Sequence, residues 1–348
     1  MINFSNSTIE KVSVHNIGNK TNEEDLILSN ELLDISDNLV KALLSKFFLT
    51  PFSNVEFNAF TFSNGDFTLN PLYNFATNIF SNEKTLHKNA IDIAKYLYEI
   101  SVHPQIKSGD LFVAYFKDIE IAEAMTDAIG IFKSENRQSF LKVDNDDANF
   151  SIQYDDGINI DKLDKGCLIL NVNKTEGYKV CIVDKANKNT EAQYWAADFL
   201  KLKPLSDEYH FTKDIMSITK DFVTKQLSEE FVVSKADQID FLNRSVDYFK
   251  THETFNQKEF EAEIFIDSDV RKSFQNFDES YRATNNLELD DHFDISMQAV
   301  KKQARVFKSV LKLDRNFHIY IHGDRELIEQ GIDADGRKFY KIYFEKEA

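Results

Sequence analysis

An α+β fold is predicted by three observations along the 348-residue chain. Short apolar runs of strand character alternate with amphipathic helical segments through the first half. From about Thr212 the apolar spacing turns helical. After Ser296 the charge changes sign, and two further strand-like runs close the chain. The expected organisation is a mixed strand/helix domain at 1–205, an acidic helical region at 206–295, and a small basic helix-plus-hairpin unit at 296–348. Apolar residues make up 42% of the chain and charged residues 28%, with only 10 Gly and 4 Pro. That composition can build cores, and it excludes disordered, collagen-like and low-complexity classes.

Taken in order, residues 9–15 read as a strand and 26–33 as an extended apolar run. Ser36 stands where an N-cap would, ahead of Leu39, Val40, Leu43, Leu44 and Phe47 at helical spacing. Pro51 stops that helix, residues 55–62 alternate as a strand, and Asn64, Gly65 and Asp66 signal a turn. The clearest helix is expected over 82–102, where Leu86, Ala90, Ile93, Leu97 and Ile100 draw one apolar stripe that His103 and Pro104 end. Residues 111–116 and 128–132 suit buried strands. Residues 167–172 and 178–183 read as a hairpin whose five-residue connection ends in Gly177. Cys167 and Cys181 lie on those two strands and read as a packed thiol pair in a reducing compartment.

Ile215, Ile218, Phe222, Val223 and Leu227 mark a first helix of the middle region. Ile239, Leu242, Val246 and Phe249 mark a second, and a shorter third follows a turn at 251–255, near 257–265. Two strands, 317–321 and 339–344, end the chain, joined through Asp335 and Gly336.

Much standard chemistry is missing. The glycines never form a GxG, so neither a dinucleotide fingerprint nor a P-loop is present. There is no GxSxG, no HExxH, and no carboxylate followed two positions later by Lys. Two cysteines cannot build a CxxC zinc site. No catalytic residue, metal ligand or cofactor is therefore assigned. The run Asp144, Asn145, Asp146, Asp147 resembles the start of a calcium loop, but Ala148 and Asn149 stand at its fifth and sixth positions, so it reads as a solvated acidic loop. Asp333, Ala334, Asp335 and Gly336 read as a turn, and His318 and His322 as ordinary histidines without a third ligand.

Charge is the informative feature. The chain holds 41 basic and 58 acidic residues, a formal net of -17, which excludes a uniformly basic nucleic-acid coat. Residues 201–300 are the most acidic hundred, with 12 basic and 21 acidic side chains, whereas 301–348 hold 11 basic and 8 acidic. On a helix expected over 296–313, Lys301, Arg305, Lys308 and Lys312 fall on one face, and Lys302 and Arg315 widen the patch. Val306, Phe307, Val310 and Leu311 supply a separate apolar side. The basic stripe suits phosphates; the competing reading is a solvated face paired with the acidic helices before it. No run of 18 apolar residues is present and the N-terminus lacks a signal-peptide pattern, so no membrane contact and a cytoplasmic location are expected.

Several stretches carry a resemblance. TIEKVSVHNIG opens the chain, DLFVAYF follows at 110–116, and an acidic, Asn-rich run precedes KGCLILNV. YWAADFLKL at 194–202, a helical middle, and the strands NFHIYIHG and KFYKIYF complete the order. In this order the chain resembles the bacterial nucleoid-associated protein family of the NdpA/YejK type over almost its whole length. The resemblance implies a cytoplasmic protein of the nucleoid, associated with DNA and without known catalysis; it supplies no DNA-contact residues. The expected partner is double-stranded DNA, held without sequence preference and sensitively to salt, or DNA-bound proteins. The alternative is an acidic interaction module that recruits DNA-bound enzymes without touching DNA itself. A hydrolase or nuclease with an unfamiliar site is a third class.

Overall fold

In a computed structural model, residues 2–53, 56–121, 124–146, 149–184, 194–285, 287–307, 310–321 and 325–346 are described. The chain forms two compact units, Met1–Leu205 and Ser206–Ala348. Helices and antiparallel sheets in both make it an α+β protein.

The first unit is built on strands β1 (Ile2–Asn3), β2 (Thr8–Ile17), β3 (Leu26–Leu28), β4 (Phe57–Phe60), β5 (Gly109–Ile121), β6 (Ala124–Ser134), β7 (Arg137–Asp146), β8 (Asn149–Ile158), β9 (Lys165–Leu170), β10 (Lys179–Asp184) and β11 (Leu202–Pro204). Helices α1 (Asn38–Leu49), α2 (Pro71–Ser81) and α3 (Leu86–Ile100) interrupt them. Nine strands make one antiparallel sheet in the order β11-β4-β10-β9-β6-β5-β2-β3, with β1 on the end of β5. Residues 111–116 and 167–170 are continuous apolar runs because both faces of this sheet are covered. Leu111, Val113, Cys167 and Ile169 pack under α2, α3 and a π-helical turn at Tyr194–Leu200. Phe112, Ala114, Leu168 and Leu170 pack under α1, whose Phe48 stacks on Phe132 at 4.3 Å. Cys167 and Cys181 thereby face opposite sides of the sheet, both buried and both free thiols. Strands β7 and β8 form a separate two-stranded ribbon.

The second unit is helical and phenylalanine-rich. It holds α4 (Glu208–Asp221), α5 (Leu227–Glu230), α6 (Lys235–Thr251), α7 (Gln257–Ile264), α8 (Ser268–Asn285) and α9 (Met297–Ala304), with the short strands β12 (Thr254–Asn256) and β13 (His292–Asp294) paired beside them. Phe222, Phe249, Phe255, Phe260, Phe265, Phe274 and Phe293 fill its core, which accounts for much of the unusual Phe content. A Ser234–Asp237 capping box starts α6. Two hairpins close the chain: β14 (Val310–Leu313) with β15 (Phe317–Tyr320), and β16 (Ile328–Ile332) with β17 (Lys338–Ile342). Leu311 and Ile328 meet Ala236 and Ile239 of α6 in a small second core.

Several expectations are corrected. Asp37, one residue after Ser36, caps α1 by accepting from the Leu39 and Val40 amides. The helix expected over 82–102 is α3 alone, because Asn82 caps a short 3-10 turn first. Helix α2, capped by Asn70 with Pro71 in its first turn, is an addition. So is α8, whose Val270, Phe274, Phe277 and Tyr281 keep helical spacing within a highly charged stretch. The acidic run near residue 144 lies on a strand as far as Asp146; Asp147 and Ala148 fall outside the described residues, as do Val55, Lys308 and His322. The two terminal strands do not pair with each other, since each has its own hairpin partner.

Candidate nucleic-acid interface

The continuous helix expected over 296–313 is not formed. Ser296 caps α9 by accepting from the Ala299 amide, and Ala299 and Val300 dock the helix on the unit's core. The helix then ends at Ala304. Phe307 inserts into the helical core, whereas Leu311 belongs to the small core against α6. The two anchors lie in different cores, and from Val310 the chain runs as a strand at the period of two. Val306, expected on the apolar side, is exposed.

The cations are therefore spread over two elements. Lys301 and Lys302 lie in the last turn of α9, where the helix dipole favours positive charge. Arg305 is its exposed C-cap. Lys312 is on β14, opposite His318, on the face turned away from Leu311 and Ile319. Arg315 sits in the β14–β15 turn, where Asp314 has a left-handed backbone and its carboxylate accepts from the Asn316 amide. Lys301, Arg305, Lys312 and Arg315 carry no ion pair among the described residues. The Lys302 ammonium lies 5.9 Å from the Tyr209 ring. On the second hairpin the cations are largely neutralised. Arg325 pairs with Asp237 at 2.6 Å, Arg337 with Asp333 and Asp335, and Lys341 with Glu329.

Other titratable clusters exist that sequence spacing did not reveal. In the first unit the Ser29 amide donates to His15 Nδ1 at 3.2 Å, which leaves the His15 proton on Nε2. His15 Nε2 then donates to Ser13 Oγ at 3.0 Å, and the hydroxyl donates to His87 Nδ1 at 2.9 Å. Burial, and then the neighbouring His87, lower the His15 pKa to about 4. Also in this unit, Lys133 donates to Glu135 at 2.9 Å and to Tyr194 at 3.3 Å, while Lys165 pairs with Asp184. Burial lowers the Lys133 pKa; burial and the Glu135 charge raise that of Tyr194. Lys133 is wholly enclosed, so this network ties the sheet to the 194–200 turn and offers no exposed nucleophile.

In the second unit an open cleft of about 430 Å³ is lined by Gln257, Glu261, Gln275, Asp278 and Asp291. Glu261 accepts from Gln257 and Gln275, and Asp278 from Arg282 and Gln257. Its carboxylates make it unsuited to a phosphate. Donor atoms of His252, Glu259 and Glu263 also lie within 4.8 Å of one another. Glu259 and Glu263 share an exposed face of α7, and His252 stacks on Tyr248.

A family model described as nucleoid-associated protein YejK matches residues 13–339. The chain belongs to this family. The match runs through both compact units, so the family relationship covers the nine-stranded sheet, the helical unit and the basic segment alike. It bears out the resemblance drawn from segment order, in which aliphatic and aromatic patterns stood in for any catalytic motif. No curated protein matches the sequence. Among the described residues no helix is long and apolar enough to cross a membrane.

Proposed function

We propose that this member of the nucleoid-associated family acts in the cytoplasm at the nucleoid without catalysing a reaction, by holding double-stranded DNA through its phosphates. The observation that carries this reading is the set of exposed cations at Lys301, Arg305, Lys312 and Arg315, which carry no ion pair among the described residues, on a chain whose net charge is otherwise strongly negative. Lys302 and Lys308 belong to the same proposed contact segment. Contacts of this kind read no bases, so binding is sequence-independent and weakens steeply with salt. Fluorescence anisotropy of a labelled duplex at two salt concentrations tests it. Binding at low salt that is lost at high salt supports direct contact, and no binding at micromolar protein rejects it.

A second reading draws on a different observation, the acidic helices of residues 206–295. Such a surface can recruit basic, DNA-bound proteins without touching DNA. Co-purification of partners that survives nuclease treatment favours this reading, and partners that vanish with the nucleic acid exclude it.

A further inference from the structure

The ribbon of β7 and β8 pairs with itself along its length, from Arg137 opposite Ile158 to Asp146 opposite Asn149. Its register sets Leu141 against Tyr154, Val143 against Ile152, and Asn145 against Phe150, all on one face. The five apolar side chains of that face are between 62% and 76% exposed. Lys142, Asp144, Gln153 and Asp155 occupy the other face. A lone two-stranded ribbon is marginally stable in water, and a contiguous exposed apolar face on one marks an interaction surface.

We propose that this face is a homodimer interface, in which two copies of the chain stack their ribbons face to face about a two-fold axis. Leu141, Val143, Phe150, Ile152 and Tyr154 together expose on the order of 700 Å², close to the ~800 Å² that each partner contributes to an interface of standard size. The patch also meets the requirement of an isologous contact, that one surface complement itself. Branched and aromatic side chains fill the face from Leu141 and Tyr154 to Phe150, so two ribbons form a two-layer sandwich spaced about 10 Å apart with these groups inside and the Ser139–Asp156 pair at the rim. Nucleic acid is a poor occupant, because the face is apolar and the carboxylate at its end, Asp156 opposite Ser139, is acidic. Each copy carries a net charge of -17, so the copies repel at long range while the contact itself is apolar. Dimerisation therefore strengthens with salt, opposite in sign to a phosphate contact.

The test is sedimentation equilibrium of the full chain at two salt concentrations, beside the double variant Val143→Glu with Ile152→Glu. A micromolar dimer is expected for the natural sequence, tighter at high salt, with the dissociation constant raised at least ~100-fold in the double variant. Thiol cross-linking with a bis-maleimide keeps the proposal testable if that variant misfolds, because Cys167 and Cys181 are buried. Ile152→Cys should cross-link to a dimer, and Gln153→Cys, on the opposite face, should not. A monomeric natural protein at 100 µM overturns the proposal, whether or not some other partner covers the face. So does a dimer that persists in the double variant, or equal cross-linking from the two cysteine variants.

Discussion

Replacement of Lys301, Arg305, Lys312 and Arg315 together by Gln is the sharpest test of direct DNA contact. All four are exposed and free of ion pairs among the described residues, so their removal leaves the two cores of the second unit intact. Gln has nearly the helix propensity of Lys and Arg, and it adds no negative charge, so a loss of binding reports lost contacts and not new repulsion. Each phosphate neutralised contributes about 0.9 to the slope of log affinity against log salt. Four contacts therefore account for a slope of about 3.6, which is roughly a 150-fold loss of affinity between 50 and 200 mM salt. The variant's slope should be shallower by that amount when duplex binding is followed by anisotropy across this range. Lys341→Gln is the matched control, since Lys341 is already paired with Glu329 and should change the slope little. An unchanged slope in a folded quadruple variant would refute the assignment.

Three further outcomes concern the fold. His15 prefers to be neutral in the folded state, with a pKa near 4 against 6.5 when unfolded. Its contribution is fully present above about pH 6.5 and is lost as pH falls towards 4, by up to about 3 kcal/mol; urea midpoints should drop over that window, and less so in His15→Gln. Phe48 is fully buried and stacked on Phe132, so Phe48→Ala should cost about 3–5 kcal/mol, read as a lower denaturation midpoint at pH 7. Asp237 opposes the effect of its own burial by accepting from Ser234 and Arg325, which hold its pKa low. Asp237→Ala removes half of the α6 capping box and the Arg325 pair, and should cost about 1–2 kcal/mol by thermal unfolding, with a smaller cost from Arg325→Gln.

Local patterns were readable where one element satisfies one core. The runs at 111–116 and 167–170 announce strands buried on both faces, and the stripe from Leu86 to Ile100 announces a helix with a single apolar side. The family was legible for the same reason, since the order of such segments survives without any catalytic motif. Helices α2 and α8 escaped because their apolar residues are diluted, in one by Asn and Thr and in the other by charge. The candidate DNA-contact residues show the limit most plainly. Lys301, Arg305, Lys308 and Lys312 recur at helical spacing, and their identity and positive charge are properties of the sequence. Their arrangement is not, because α9 ends at Ala304, Phe307 and Leu311 anchor in different cores, and Lys312 lies on a strand. The exposed ribbon likewise needed the tertiary structure. Alternating Leu141, Val143 and Phe150, Ile152, Tyr154 spell strands with an apolar face, but only the fold decides that no part of the described chain covers it. Periodicity records which side chains share a face; which surface that face meets is set by contacts between residues far apart in the chain.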